Sequence, residues 1–468
     1  MEVDKFHFIA IGGVGQSALA KILLEQGYTV TGSDIQESKY TKLLKDLGAK
    51  VYIGHSEDNI QAGFNVVVSS AIKEDNPEII KARKLGLKIL HRSDMLKILS
   101  ENCKAFIGFS GTHGKTTTSG LMSYVLEKGG LNPSFAVGGI IPSLNINAKS
   151  SLNYRDSYFI AELDESDGTI KKYCPKYMVI NNLEVDHVDF YKNGLSDIFE
   201  TFNFVCEKFD ESSNIFINID DAGNKEFLKQ LKTDAKIITY GIKSDTVFDS
   251  MHYSAKNIEC KNKTTSFEIY KNDKKICNIN SILLGIHNVY NILAVVSVMS
   301  EIGLNVCVFE EHFNSFSGMG RRFEHNRIFD DIEIIDDYSH HPTEVKCALS
   351  SARNYTENRV VAIFQPHRYT RFQGLFEDFK TSFENCDLLF VTDVYRAGDK
   401  PIKGFEAYDF VNQINKENVF YAKGTIKEAG EFIAPYLKNG DTVLTIGAGD
   451  ITKMGEVLEN EYRKIRKI

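Results

Sequence analysis

The chain has 468 residues, too many for one ordinary core, and two or three domains of roughly 100–200 residues each are expected. At 43% hydrophobic and 25% charged it has the balance of a soluble globular protein. A net charge of −8 argues against a general nucleic-acid binder, which would present a basic face.

The eight cysteines are scattered without a CxxC pair, so disulfides and a structural zinc find little support and a reducing cytoplasm is the expected setting. The opening MEVDKFHFIAIGG has no basic n-region, and neither its apolar run nor any later one approaches membrane length. No export signal and no membrane partner are expected.

Strand-like runs at 6–11, 29–31, 51–53, 65–69 and 88–90 alternate with helical segments at 16–26, 38–47 and 77–85. That alternation predicts a parallel sheet wound with helices. The first strand empties into Gly12-Gly13-Val14-Gly15-Gln16-Ser17-Ala18, and Asp34 follows a second strand about 20 residues on. By itself this is a dinucleotide fingerprint, whose glycines admit a pyrophosphate and whose carboxylate reaches a ribose. NAD is the default ligand for an isolated fingerprint; a tight strand-to-helix turn is the competing explanation. Ser69, Ser70 and Ala71 fall at the same carboxyl edge of the predicted sheet.

A second α/β unit begins at 103. The segment AFIGFSGTHGKTTT reads as strand, glycine turn and helix (119–127). A strict Walker A motif would place glycine at 109, where the chain has Phe109, so the match is the shorter Gly111-Thr112-His113-Gly114-Lys115-Thr116. Backbone N–H groups, a cation and hydroxyls at such a turn suit nucleotide phosphates. The alternative is a glycine-rich helix cap with an exposed lysine. A chain with two phosphate-binding turns favours an enzyme that joins an ATP reaction to a second nucleotide-bearing substrate over a simple dehydrogenase.

Further apolar runs lie at 157–161, 177–182, 214–219 and 236–240. Glu162 closes the first and Asn181–His187 the second, at the edge where the loop also falls, so the side chains of both clusters, Glu162 and His187 among them, are candidates to hold Mg²⁺, with solvated loop ends as the alternative. Imidazole suits softer ions, which leaves Mn²⁺ or a bridging water open for His187. Polar alternation over 246–283 predicts an antiparallel hairpin patch, and a helix follows from 287 to about 302. His287, Asn288 and Asn291 at its start could face a base or ribose, or could simply cap the helix.

A third unit starts near 318, with apolar runs at 332–336, 359–364, 387–392 and 442–446. Arg321-Arg322 precede its first strand, which ends in Asp336-Asp337-Tyr338-Ser339-His340-His341-Pro342. A later strand runs into Gln365-Pro366-His367-Arg368-Tyr369-Thr370-Arg371. Cationic and aromatic groups at two strand ends suit a small anionic substrate, since arginine grips carboxylate in bidentate fashion.

Taken in order, IGGVGQS, SSAI, GTHGKTTT, AELDESD, NNLEVDHVDFY, GIHNVYN, SGMGRRF, DDYSHHPTE, FQPHRYTR and GAGD resemble the bacterial Mur ligases over almost the whole chain. DDYSHHPTE and QPHRYTR are similar to the branch that adds the first amino acid. The resemblance implies three α/β domains: a Rossmann-like UDP-sugar domain (1–102), a central P-loop ATPase-type domain (103–317) and a C-terminal Rossmann-like amino-acid domain (318–468). It replaces NAD by the diphosphate of UDP at the first glycine turn. The implied reaction is ATP-dependent ligation of L-alanine to the lactyl carboxylate of UDP-N-acetylmuramate through an acyl phosphate, in peptidoglycan precursor synthesis in the cytoplasm.

The resemblance also assigns residues. Gly111, Thr112, His113, Gly114, Lys115, Thr116 and Thr117 would hold ATP phosphates, with His287, Asn288, Asn291 and Asp337 facing the nucleoside. Thr116, Glu162 and His187 would bind Mg²⁺, and Lys115, Arg322 and His187 would serve catalysis. Gly12, Gly13, Gly15, Asp34, Ser69, Ser70, Ala71, His91 and Glu184 would line the UDP-sugar path. Tyr338, His340, His367, Arg368 and Arg371 would surround L-alanine. Partners are these small molecules, with a monomer or weak homodimer as the assembly. Gln16 departs from the methionine of many members, and no counterpart of the carbamylated lysine of several ligases is identified.

Overall fold

β1 (Lys5–Ile9), β2 (Thr29–Asp34), β3 (Lys50–Ile53), β4 (Phe64–Val68) and β5 (Ile89–His91) form a parallel sheet in the order β3-β2-β1-β4-β5. The order reverses at β1, so the carboxyl ends of β1, β2 and β4 face a crevice where ligands of doubly wound sheets bind. Ile9, Val66, Ile60, Ile79 and Ala82 pack as one buried cluster. Each such isoleucine or valine contributes about 1.5–3 kcal/mol over leaving it in water. The computed structural model describes residues 4–242, 251–261 and 263–466.

The described residues form two compact units. The first draws on 1–183, 199–253 and 294–312 and holds the sheet above together with a second sheet. Its strands are β6 (Ala105–Ser110), β7 (Ser134–Ile141), β8 (Ile146–Lys149), β9 (Tyr158–Glu162), β10 (Tyr177–Ile180), β11 (Asn214–Asn218) and β12 (Lys236–Gly241). They run β12-β11-β10-β6-β9-β7-β8, parallel except for the β7–β8 hairpin. β6 is buried along its whole length. Flanked by β9 and β10, it brings three strand ends together at one edge.

The second unit draws on 184–198, 254–293 and 313–468. β13 (Met251–Lys261) runs into it from the first unit, and β14 (Thr264–Lys271) pairs antiparallel with β15 (Lys274–Ser281), with a register shift at Ile269/Tyr270. The hairpin patch is thus borne out over its described part; residues 246–250 and 262 of the expected range lie outside the described residues. The remaining sheet has β16 (Glu324–Phe329), β17 (Ile332–Asp337), β18 (Val360–Phe364), β19 (Leu388–Thr392), β20 (Val419–Ala422) and β21 (Thr442–Ile446). Their order is β16-β17-β21-β18-β19-β20, parallel but for β16–β17.

β18 explains why its sequence is an unbroken apolar run. Val360, Ala362 and Phe364 enter a phenylalanine-rich core with Phe372, Phe379 and Phe410, while Val361 and Ile363 enter the cluster of Ile334 and Val443 on the other face. A parallel strand covered on both sides has no polar face to show.

Candidate active site

In the first unit, the glycine turn after β1 is tied to the end of β2. The N–H of Gly12 donates to Asp34 Oδ2 at 2.8 Å, and a Cβ on Gly12 would sit 2.8 Å from that same oxygen. A side chain here would displace the Asp34 carboxylate, which the glycine lets rest over the turn. Gln16 is buried, and its amide donates to the carbonyl oxygens of Ile9 (3.2 Å) and Val67 (3.5 Å), stitching β1 to β4 beneath the turn. Ser70 Oγ meets His91 Nε2 at 3.2 Å and donates to Asp167 at 3.1 Å. Ser69 accepts the Ile72 N–H, and Ala71 lies exposed in the same turn. Gly13 caps the helix Val14–Glu25, and Gly15 lies against the Arg92 side chain.

The phosphate loop follows β6. Gly111 has φ +113°, and a Cβ there would meet the Asn182 carbonyl oxygen at 2.8 Å. Asn182 accepts the N–H of Thr112 on its carbonyl (2.9 Å) and that of His113 on its side chain (2.7 Å). The loop is therefore cradled by the residues just past β10, and Asn182, expected from the sequence only as part of a cluster near Mg²⁺, holds the loop backbone instead. Phe109 is fully buried within β6, opposite Glu162 of β9 and Val179 of β10. It is a strand residue of the core, and the turn begins two residues after it. The helix starts at Lys115 (Lys115–Lys128), four residues before the expected 119, because Gly114 in the left-handed region is already its cap. Thr116 and Thr117 lie in its first turn, where free N–H groups and the helix dipole favour phosphate.

Lys115 Nζ donates to the carbonyls of Gly111 (2.6 Å) and Thr112 (3.0 Å) and pairs with Glu165 Oε2 at 3.0 Å. Burial acts against the ammonium, but Glu165, Asp164 and Glu162 outweigh it and raise the lysine above its usual range. Burial pushes the Glu165 carboxyl up to about 7, against the pull of Lys115. Glu162 Oε2 accepts the Thr116 hydroxyl at 2.8 Å and the Gly138 N–H at 3.1 Å. A hydroxyl and a carboxylate meeting at one point form a hard-oxygen pair that fits Mg²⁺.

In the second unit, Arg322 Nη1 donates to Glu344 Oε1 at 3.1 Å, and Arg321 pairs with buried Asp336 at 3.0 Å. Asp337 accepts the N–H groups of Phe323 and Ser339, both at 2.8 Å. Asn288 donates to Leu284 O and receives Asn291 Nδ2 at 3.0 Å, so the two amides orient each other. Burial, then the charge of Arg322, lowers the His287 imidazolium to about 4. Glu184 accepts the Thr343 hydroxyl at 2.6 Å.

Residues expected around the amino acid come together here, Tyr338 beside His340, His340 beside His367 and His367 beside Arg371, and the arginines are already paired. Arg371 Nε donates to Asp186 Oδ1 at 3.0 Å, and Arg368 contacts Asp189 (2.9 Å) and Asp399 (3.5 Å). Neither aspartate at 186 or 189 was singled out beforehand, although both stand in the DHVD segment beside His187. Arg371, with burial opposing, holds the Asp186 carboxyl far below the usual range. Burial lowers His340 to about 3 and His367 to about 4, with Arg371 adding to both. His340 Nδ1 lies 2.9 Å from the Tyr338 carbonyl and must donate, which leaves Nε2 an acceptor; Arg371 donates to His367 Nδ1 at 3.3 Å, which leaves its Nε2 a donor. Non-glycine residues with positive φ recur at this chemistry: His187 (+51°), Arg321 (+60°), Phe323 (+51°) and Arg368 (+65°).

Family models match three consecutive stretches: the Mur ligase family, catalytic domain, over 5–103; the Mur ligase middle domain over 109–299; and the Mur ligase, glutamate ligase domain, over 321–449. The chain belongs to the Mur ligase family. It is 39% identical to a UDP-N-acetylmuramate–L-alanine ligase of Sulfurihydrogenibium sp. (strain YO3AOP1), over 98% of this chain and 97% of that protein. A ligase of the same name from Clostridium novyi (strain NT) is 38% identical, over 97% and 96%. The crystal structure of a UDP-N-acetylmuramate-alanine ligase from Thermotoga maritima superposes with a TM-score of 0.80 at 28% identity, covering 99% of both chains. The three-domain α/β class expected of a Mur ligase is thereby borne out. No helix among the described residues is long and apolar enough to cross a membrane.

Proposed function

We propose that the chain joins L-alanine to the lactyl carboxylate of UDP-N-acetylmuramate with cleavage of ATP to ADP and phosphate, as a step of peptidoglycan precursor synthesis. The observation that carries this reading is the full-length identity to proteins bearing that ligase's name. Domain limits at 1–102, 103–317 and 318–468 follow the same reading.

A carboxylate is a poor electrophile until one oxygen becomes a good leaving group. In the reaction, a lactyl carboxylate oxygen attacks the γ-phosphorus and ADP leaves. The free amine of L-alanine then adds to the acyl carbon, and the tetrahedral intermediate expels phosphate. Such chemistry rests on neutralising phosphoryl charge and aligning reactants. Lys115, freed from Glu165, faces the β- and γ-phosphates beside the loop N–H groups, and Arg322 faces the phosphoryl in transfer. Thr116, Glu162 and His187 would hold Mg²⁺, or Mn²⁺, which when bound supplies charge neutralisation to the phosphate oxygens. Asp34 and the Gly12–Gly15 turn receive the UDP end. His340 Nε2, an acceptor, suits the amine of L-alanine, and His367 Nε2–H with Arg368 suits its carboxylate.

Lys115→Ala tests the loop. ATP-dependent acyl phosphate formation is expected to fall at least a hundredfold, on the order of losing one charge-stabilising donor, while UDP-N-acetylmuramate still binds. Retained turnover in that variant refutes the role given to the loop.

A further inference from the structure

Glu344 was not among the residues expected to act, yet it joins two that were. It lies in the first turn of the helix Pro342–Tyr355, where Pro342 and the His341 cap fix the start. Its side chain is only 9% exposed. One oxygen accepts from Arg322 Nη1 and the other from the His340 N–H, each at 3.1 Å. His340 Nδ1 is 3.5 Å from that second oxygen, and the Arg322 guanidinium also lies 5.4 Å from the centre of the Tyr338 ring. The groups facing Glu344 include the Arg322 guanidinium from the loop before β16, the neutral imidazole of His340 after β17 and, through its charge, the His287 imidazole.

We infer that Glu344 is a positioning residue that sets Arg322 and His340 in register, so that phosphoryl transfer to a carboxylate oxygen and amine attack on its carbon meet at one carboxyl group. The inference rests on the proposed roles of Arg322 toward the phosphoryl group and His340 toward the amino acid. An acyl phosphate is hydrolysed by water unless the amine is already placed, and a misplacement of 1 Å costs on the order of a hundredfold in rate. A carboxylate that divides its two oxygens between the two partners fixes their separation. It also gives Arg322 a counter-charge without covering the rest of its fork.

The test measures ADP and amide in the same samples, with L-alanine and UDP-N-acetylmuramate each titrated, for wild type, Glu344→Gln, Glu344→Asp, Arg322→Lys and the double variant Arg322→Lys/Glu344→Gln. Glu344→Gln is expected to release about two or more ADP per amide where wild type releases about one, and to raise the KM for L-alanine about tenfold with that for the UDP-sugar within about twofold. Glu344→Asp, which keeps the charge but shortens the reach, falls between. In the double variant the effect of Glu344→Gln shrinks, because part of it acts through Arg322. ADP and amide falling in step with an unchanged KM for L-alanine, or fully additive effects, would overturn the inference. If Glu344→Gln does not fold, the ADP-to-amide ratio of Glu344→Asp decides. A wild type that releases no ADP with L-alanine contradicts the ligase reading instead.

Discussion

Lys115 Nζ and Glu165 Oε2 form an ion pair at 3.0 Å in which the two side chains are only 10% and 4% exposed. The lysine proposed to serve phosphate is thus already engaged by the Glu165 side chain of its own unit, and on that proposal an incoming γ-phosphate exchanges with it. Glu165→Gln removes that competitor. Apparent ATP affinity is expected to rise about three- to tenfold, read by calorimetric titration, since close opposed charges couple by more than 1 kcal/mol. Unchanged or weaker ATP binding would show that Glu165 does not compete.

Asp186 and Arg371 form the corresponding buried pair of the second unit, each under 10% exposed. Removing one partner of such a pair leaves the other charge uncompensated, at a cost of about 3–5 kcal/mol. Asp186→Asn should therefore lower the urea midpoint clearly, and Arg371→Lys should not restore the bidentate-capable fork that also reaches His367. A stability loss under about 0.5 kcal/mol in Asp186→Asn, read from the urea midpoint and slope, would contradict a buried, uncompensated charge.

Gly12→Ala places a Cβ 2.8 Å from the Asp34 carboxylate and 2.9 Å from Thr41. The Asp34 and Thr41 side chains must shift, which displaces the carboxylate over the turn, so UDP-N-acetylmuramate binding is expected to weaken about tenfold with ATP binding unchanged; equal loss of both would mean a general folding defect.

His287 and His367 are lowered to about 4 and His340 to about 3, from an ordinary 6.5. Below pH 6.5 the unfolded chain takes up protons that the folded second unit refuses. Stability is thus present above 6.5 and lost as pH falls toward 4, by up to about 1.4 kcal/mol per pH unit for each histidine. Glu165, raised to about 7, acts in the opposite sense in the first unit, gaining stability as pH falls from 7 to its unfolded value of 4.5. Burial lowers His91 as well and raises Asp337, so four histidines against the carboxyls of Glu165 and Asp337 predict a net fall in the thermal midpoint between pH 6.5 and 4.5. A flat or rising midpoint would contradict the neutral-histidine picture.

The parallel sheets were legible because most of their strands carry apolar runs, unbroken in VVAIF, that end in glycine or polar turns. β7, β8, β16 and β20 were missed. β8 and β20 have four residues each, β7 carries two glycines, and β16 reads EHNRIF with one buried side chain. β8, β16 and β20 are edge strands, which lack the covered faces that write a pattern, whereas β7 lies between β9 and β8 and its glycines break the apolar run. The glycine turns, Lys115 and the histidine–arginine clusters were visible as residue types. Their partners Glu165, Asn182, Asp186 and Glu344 were not, since a carboxylate or amide that serves a charge from another strand has no local signature.

The central claim is the identity of the acceptor. ADP release should be measured with UDP-N-acetylmuramate and ATP in the presence of L-alanine, L-serine, glycine, a preformed tripeptide or no amine. The account predicts release that depends on an amino acid, is supported by L-alanine and is matched by amide product. Release only with the tripeptide, or equal release with no amine, would contradict it.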